Sequence, residues 1–329
     1  MQAQTGRETW TEKVLLAGAT ALLAVLPLSL LIAPVPLAAL VYRHGLTAGF
    51  YAALGAAAFA ALLTLSPAIM AQVLLVLALG IALGEGLREL AGAGYIIGLA
   101  SIVTLVTTLL LFFLFERVTG ESPFEVAARF WEEGLMAMLG SQAGGEVPAE
   151  VREAVLAQIE QIQRSIPASV LLGSAALAVV DFALVRWLLA RLGSDLAQVA
   201  ALPPFGAWRF PPLIAAGYVT VAALGWLLSG AANIPWVSTL LLNVNLVLAS
   251  FLVVQGAAVG WHFLERWGVA RPLRVALLAG MFLFAPGLLF LCLLTGIVDA
   301  GFHLRKRFSQ QGGHVRESDS ADEREKTGE

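Results

Sequence analysis

The stretch Glu116–Ser165, ERVTGESPFEVAARFWEEGLMAMLGSQAGGEVPAEVREAVLAQIEQIQRS, is the one long interval in which charges and glutamines outnumber aliphatic runs. On either side the chain is mostly Leu, Ala, Val and Gly. The polar stretch therefore reads as an insert between two apolar halves. Of 329 residues, 59% are hydrophobic and 13% charged, with a mean hydropathy of +0.82. Soluble domains run at about 45–50% apolar and about 25% charged, so the composition predicts an integral membrane protein. A formal net charge of −3 supplies no field for nucleic acid, and no nucleic-acid partner is expected. Cys292, the single cysteine, lies in an apolar run and reads as a small buried hydrophobe.

A hydrocarbon core of about 30 Å needs about 20 residues of apolar helix. Counting such runs gives four spans before the insert and four after it, at 14–33, 47–65, 67–87, 94–115, 167–190, 212–230, 236–261 and 275–297. Barrel strands are about 10 residues long with alternating polarity, so the runs specify helices. The expected fold is an all-α polytopic bundle of about eight transmembrane helices with an extramembrane amphipathic insert. Its parts are a polar segment (1–13), a first membrane half (14–115), the insert (116–165), a second half (166–298) and a basic, then disordered tail (299–329). Pro27, Pro34 and Pro36 break the regularity of the first span, and 34–42 reads as a separate short helix.

Within the insert, Ser122-Pro123-Phe124-Glu125 combines an N-cap serine, a proline at the first helical position and a glutamate placed for a capping box. Phe124, Ala128, Trp131, Leu135 and Met138 follow at helical spacing opposite Glu125, Arg129, Glu132 and Glu133, which predicts an amphipathic helix in the membrane interface. Gly144-Gly145 marks a break before Pro148 opens a second helix.

Small residues at four-residue spacing mark packing faces, because they let helix backbones approach closely in lipid. The second span carries Gly45, Gly49, Ala53, Ala57 and Ala61; Gly80/Gly84, Gly94/Gly98 and Gly256/Gly260 repeat the spacing elsewhere. Arg305-Lys306-Arg307 after the last span favours cytoplasmic termini, whereas Arg43, Arg88, Arg191, Arg209, Arg266, Arg271 and Arg274 fall in the opposite loops and nearly balance the count.

Ionisable groups at membrane depth cost about +2.5–3.5 kcal/mol on insertion scales, so each is a candidate site residue. Glu85, Asp181 and Gln255 stand out, about 15–19 positions into the third, fifth and seventh spans, a spacing that predicts one slab toward one face. Asn243 and Asn245, with Gln72, count toward the other face. The competing reading is helix ends and interhelical glue. His262 and Glu265 lack a third ligand for a metal. No phosphate-binding glycine loop, serine elbow or His-Glu-x-x-His occurs, so neither enzymatic activity nor a cofactor is expected.

Pro34-x-Pro36, Arg43-His44-Gly45 with Gly49, Phe205-x-x-Trp208-x-x-Pro211, Asn245, Gln255-Gly256 and Gly296-x-x-Asp299 with Arg305-Lys306-Arg307 resemble the YybS-like family of bacterial multi-span membrane proteins over about 14–307. That family is remotely similar to the substrate-binding S subunits of energy-coupling factor transporters. The resemblance implies a bacterial cell membrane, a small-molecule (vitamin-like) binding or transport role and energy-coupling subunits as partners. It also implies a coupling contact on the first helix, at Ala17 and Ala21. The alternative is a non-catalytic scaffold or assembly factor acting through 116–165.

Overall fold

The computed structural model describes residues 2–26, 31–63, 66–89, 91–143, 148–194, 201–229, 235–284, 286–302, 304 and 305. Pro27, Gly144-Gly145, Asp195, Lys306-Arg307 and the tail from Ser309 lie outside them. The described secondary structure is helical: α1 (Gln2–Val25), α2 (Pro34–His44), α3 (Leu46–Leu63), α4 (Pro67–Arg88), α5 (Ala93–Thr119), α6 (Pro123–Ala143), α7 (Ala149–Arg191), a 3-10 turn (Phe205–Ala207), α8 (Pro212–Ser229), α9 (Pro235–Arg266), α10 (Arg271–Phe284) and α11 (Pro286–Phe302).

Among the described residues, α3, α4, α5, α7 and α9 are long and apolar enough to cross a membrane, and α8 and α11 are apolar but shorter. At both ends of the chain the described helices have other bounds than the expected spans. The expected span 14–33 is a helix that begins at Gln2, inside the segment read as polar, and ends at Val25. The expected span 275–297 is covered by α10 and α11, which lie on either side of residue 285, outside the described residues.

The expected boundary at 165/166 falls within a single helix. The second helix of the insert and the fifth span are one helix of 43 residues, with Pro167 inside it. Ser165 Oγ donates to the Ile162 carbonyl (2.8 Å) and Ser169 Oγ to the Ser165 carbonyl (3.0 Å) on either side of the proline. The start of α6 is as expected: the Phe124 N–H donates to Ser122 Oγ at 3.3 Å.

The chain divides into two compact units, residues 1–202 and 203–329. In the first, α2 is the core. Every residue from Pro34 to Val41 is buried, and α2 packs on α1, α3, α4 and α7. Two prolines in its first turn cost little, since N–H groups there have no intrahelical acceptor. The predicted Gly80/Gly84 face on α4 receives it. A Cβ at Gly84 would lie 2.6 Å from the Ala38 carbonyl oxygen, and one at Gly80 would lie 3.0 Å from that of Pro34. Val41 also fills the space where Gly49 would carry a Cβ. Gly45 has a different job, turning α2 into α3 at φ 86°. On α3 the buried small residues are Gly49, Ala52, Ala53, Ala56 and Ala60, rather than the strict series ending at Ala61. A four-residue step overshoots a 3.6-residue turn by about 40°, so such a series winds off the face.

In the second unit α9 and α11 interlock. A Cβ on Gly256 would collide with the Cys292 carbonyl, and one on Gly296 with the Leu252 carbonyl. Gly260, the expected partner of Gly256, meets nothing within 4 Å, and neither does Gly94 or Gly98. Spacing identified Gly256, but its counterpart is across the interface.

Candidate functional site

Asp181 lies on the face of α7 that also carries Ser174, Leu177, Ala178 and Val185, all buried. α7 turns toward α5 and α2, and Leu177, Ala178, Phe182 and Val185 join Ile96 and Ala100 of α5 in the apolar core. The side chain of Asp181 is 0% exposed. Neither carboxylate oxygen has a hydrogen-bond partner among the described residues. Arg186, the nearest cation in sequence, stacks over the Phe182 ring at 5.9 Å. Isolating a carboxylate in apolar surroundings is prohibitive, so the group has to hold a proton or meet a cation. The hydroxyls that come nearest in kind are already turned to their own helices: Thr104 donates to the Ala100 carbonyl at 2.8 Å and Thr20 to that of Leu16 at 2.8 Å.

Glu85 is a different case. It is half-buried, pairs with Arg88 at 3.4 Å and closes α4, accepting the Glu89 N–H on its backbone carbonyl. It reads as a helix end. Gln72 donates to the carbonyls of Ala24 and Leu26 at 3.3 and 2.8 Å, satisfying the last turn of α1. Near the middle of α1, Glu12 takes Arg43 in a two-pronged pair (2.6 and 3.1 Å), and Arg43 also donates to the Leu192 carbonyl at 2.7 Å. One guanidinium thus ties α1 and α2 to the end of α7.

In the second unit Gln255 belongs to a buried network. Its Nε2 donates to Asp299 Oδ2 (3.0 Å), and its Oε1 accepts the Phe210 N–H (3.2 Å). Arg305 donates to the same Oδ2 (2.8 Å) and to the carbonyls of Gly206 (2.6 Å) and Trp208 (2.8 Å). Gln255, Asp299 and Arg305 are 1%, 3% and 5% exposed. Phe205 adds edge contacts to Trp208 and Trp261. The arrangement straps residues 205–210 onto α9 and α11. Sequence reasoning quoted Asp299 and Arg305 among the motifs of the resemblance and Arg305 as a topology signal, but selected neither as a site residue, because separations of 6 and 44 residues leave no periodic trace. Of the two asparagines, Asn243 donates to the Thr239 carbonyl at 2.7 Å, while Asn245 keeps its side-chain oxygen buried without a partner.

The apolar helices, the buried aspartate and the strapped segment are features of a membrane protein, and comparison of the chain with known families agrees. A family model described as "Predicted membrane protein (DUF2232)" matches residues 13–300. The chain belongs to this family. No curated protein and no solved structure matches it. The match to DUF2232 runs from Lys13 through Ala300, so it takes in Asp181, Gln255 and Asp299 and stops short of Arg305.

Proposed function

We propose that this DUF2232 chain is a membrane-embedded component for binding or transporting a small solute, and that Asp181 is the group which the solute, or a proton moving with it, engages. What supports the reading is a single observation: a fully buried carboxyl in a membrane-crossing helix with both oxygens unpaired among the described residues. Such groups mark ion and proton paths in membrane proteins. The S-subunit likeness carried by the sequence motifs extends the reading to energy-coupling partners. Ala17 and Ala21 lean on the core of their own unit, so a coupling subunit would sit on the exposed flank of α1 at Leu15 and Leu22.

The test is Asp181→Asn. Wild type, purified in mild detergent, is expected to retain a small solute or an ATPase module by mass spectrometry. The variant should lose the solute while its Tm moves by less than about 3 °C, equivalent to about 1 kcal/mol at this chain length. If the variant retains everything the wild type does, or loses its fold, the proposal fails.

One observation favours the scaffold alternative. α6 exposes Phe130, Trp131 and Met138 at 75%, 62% and 55%, an apolar stripe that suits either a membrane surface or a partner helix. A stable complex lost on replacing these three by Ser would support assembly over transport.

A further inference from the structure

A cleft of about 530 Å³ opens between α1, α2 and the start of α3, and Asp181 is not part of it. Its polar lining is Lys13, His44, Thr47 and Tyr51, and its floor includes Ala17 and Ala52. Thr47 is in the first turn of α3, a membrane-crossing candidate, so the polar mouth sits where that helix enters the bilayer. The flanks are apolar and outward: Leu15, Tyr51 and Leu54 are 72%, 70% and 52% exposed. The small floor residues leave room, and the flanks continue the cleft into the lipid-facing surface.

The charge at the mouth is uncompensated. Glu12 is taken by Arg43 at 2.6 Å, whereas Lys13 makes no ion pair or hydrogen bond among the described residues. The His44 side chain is 10% exposed, and Glu12 Oε1 stands 3.7 Å from its Nε2, beyond hydrogen-bond reach. That Nε2 is buried with no hydrogen-bond partner among the described residues, and it pairs with Glu12 only when protonated. The cleft therefore offers one free ammonium and one buried imidazole nitrogen above an apolar trough.

We infer that this cleft is a binding site for an anionic phospholipid, its phosphate against Lys13 and His44 and an acyl chain along Ala17 and Ala52. A zwitterionic headgroup brings its own cation to a place that already has one, so the site favours a net negative lipid. A free phosphate would satisfy the polar mouth but leave the apolar trough empty.

Delipidated protein in neutral detergent tests this, with dioleoylphosphatidylglycerol, dioleoylphosphatidylcholine and glycerol phosphate as probes, read by native mass spectrometry and thermal shift. The wild type should bind the phosphatidylglycerol at least about fivefold more tightly than the phosphatidylcholine, the gain associated with one basic residue at a membrane surface. Lys13→Gln, an exposed position that does not threaten folding, should bring the two lipids within about twofold, and His44→Gln should weaken the preference in part. Arg152→Gln, an exposed change on the insert arm, should leave it as in wild type. Equal binding of both lipids by wild type, or an undiminished preference in Lys13→Gln, overturns the assignment. Competition by glycerol phosphate as effective as that by the lipid identifies a soluble-anion site and equally overturns it.

Discussion

Asp299 and Asp181 are both aspartates on apolar helices, and the difference between them is partnership. Asp299 accepts from Gln255 and Arg305. Asp299→Asn leaves the Arg305 guanidinium buried without its counter-charge, at an expected cost of about 3–5 kcal/mol. Arg305→Met should cost a similar amount, and the double variant should recover much of the loss in thermal unfolding, because no lone charge is left inside. Purely additive losses would show that the two do not act as a pair. His44 gives a pH dependence. Burial holds its pKa below the ordinary 6.5, and Lys13 and Arg43 push the same way against Glu12. The unfolded chain then takes up the proton first, so the stability is present above about pH 6.5 and drains away as pH falls toward the lowered folded value. Melting curves between about pH 8 and 5 should show this loss in wild type and a flatter profile in His44→Gln. Asp181 was legible in the sequence because a lone charge in an aliphatic run stands out. The members of the Gln255 network stood in the sequence only as separate short motifs, and their joining was not legible, since the bonds run between segments far apart in the chain and partly to backbone carbonyls.

Among the elements, the glycines separate what spacing tells from what it does not. Gly256→Ala and Gly296→Ala each place a methyl against a backbone carbonyl of the facing helix. Neither carbonyl yields without moving its helix, so each variant should lose at least the roughly 1–3 kcal/mol of an overpacked core. Gly260→Ala meets nothing and should be neutral or stabilising, as alanine is the better helix former. Thermal melting of the three ranks them; a Gly260 variant as damaged as the others would contradict the interlock. A Gly-x-x-x-Gly pattern marks a small face on one helix but is silent about which residue crosses to meet it. Run length found most of the apolar helices. It took Pro167 for the start of a span, whereas that proline is carried inside α7. A strong helix-forming stretch continues on both sides of it.

For the molecule as a whole, the two units each have their own packing: the buried α2 in residues 1–202 and the α9–α11 interlock in residues 203–329. Residues 1–202 expressed alone should insert and unfold cooperatively, as a domain with its own core does. A fragment that is degraded or melts without a transition would mean the first core is incomplete. The insert looked like a separate body in the sequence because its polarity changes sharply at Ser165, yet composition reports what surrounds a helix and not where the helix stops. α7 runs unbroken across that change, and its 43 residues make a rod of about 64 Å, against a hydrocarbon layer of about 30 Å. Were the rod rigid across Pro167, it would act as a lever about that point. If binding a proton or a cation at Asp181 tilts the buried arm by about 10°, the outer arm of about 27 Å sweeps its tip, at Ala149 and Glu150, through about 5 Å. A charge event inside the membrane would then be readable by whatever touches the far end of the rod.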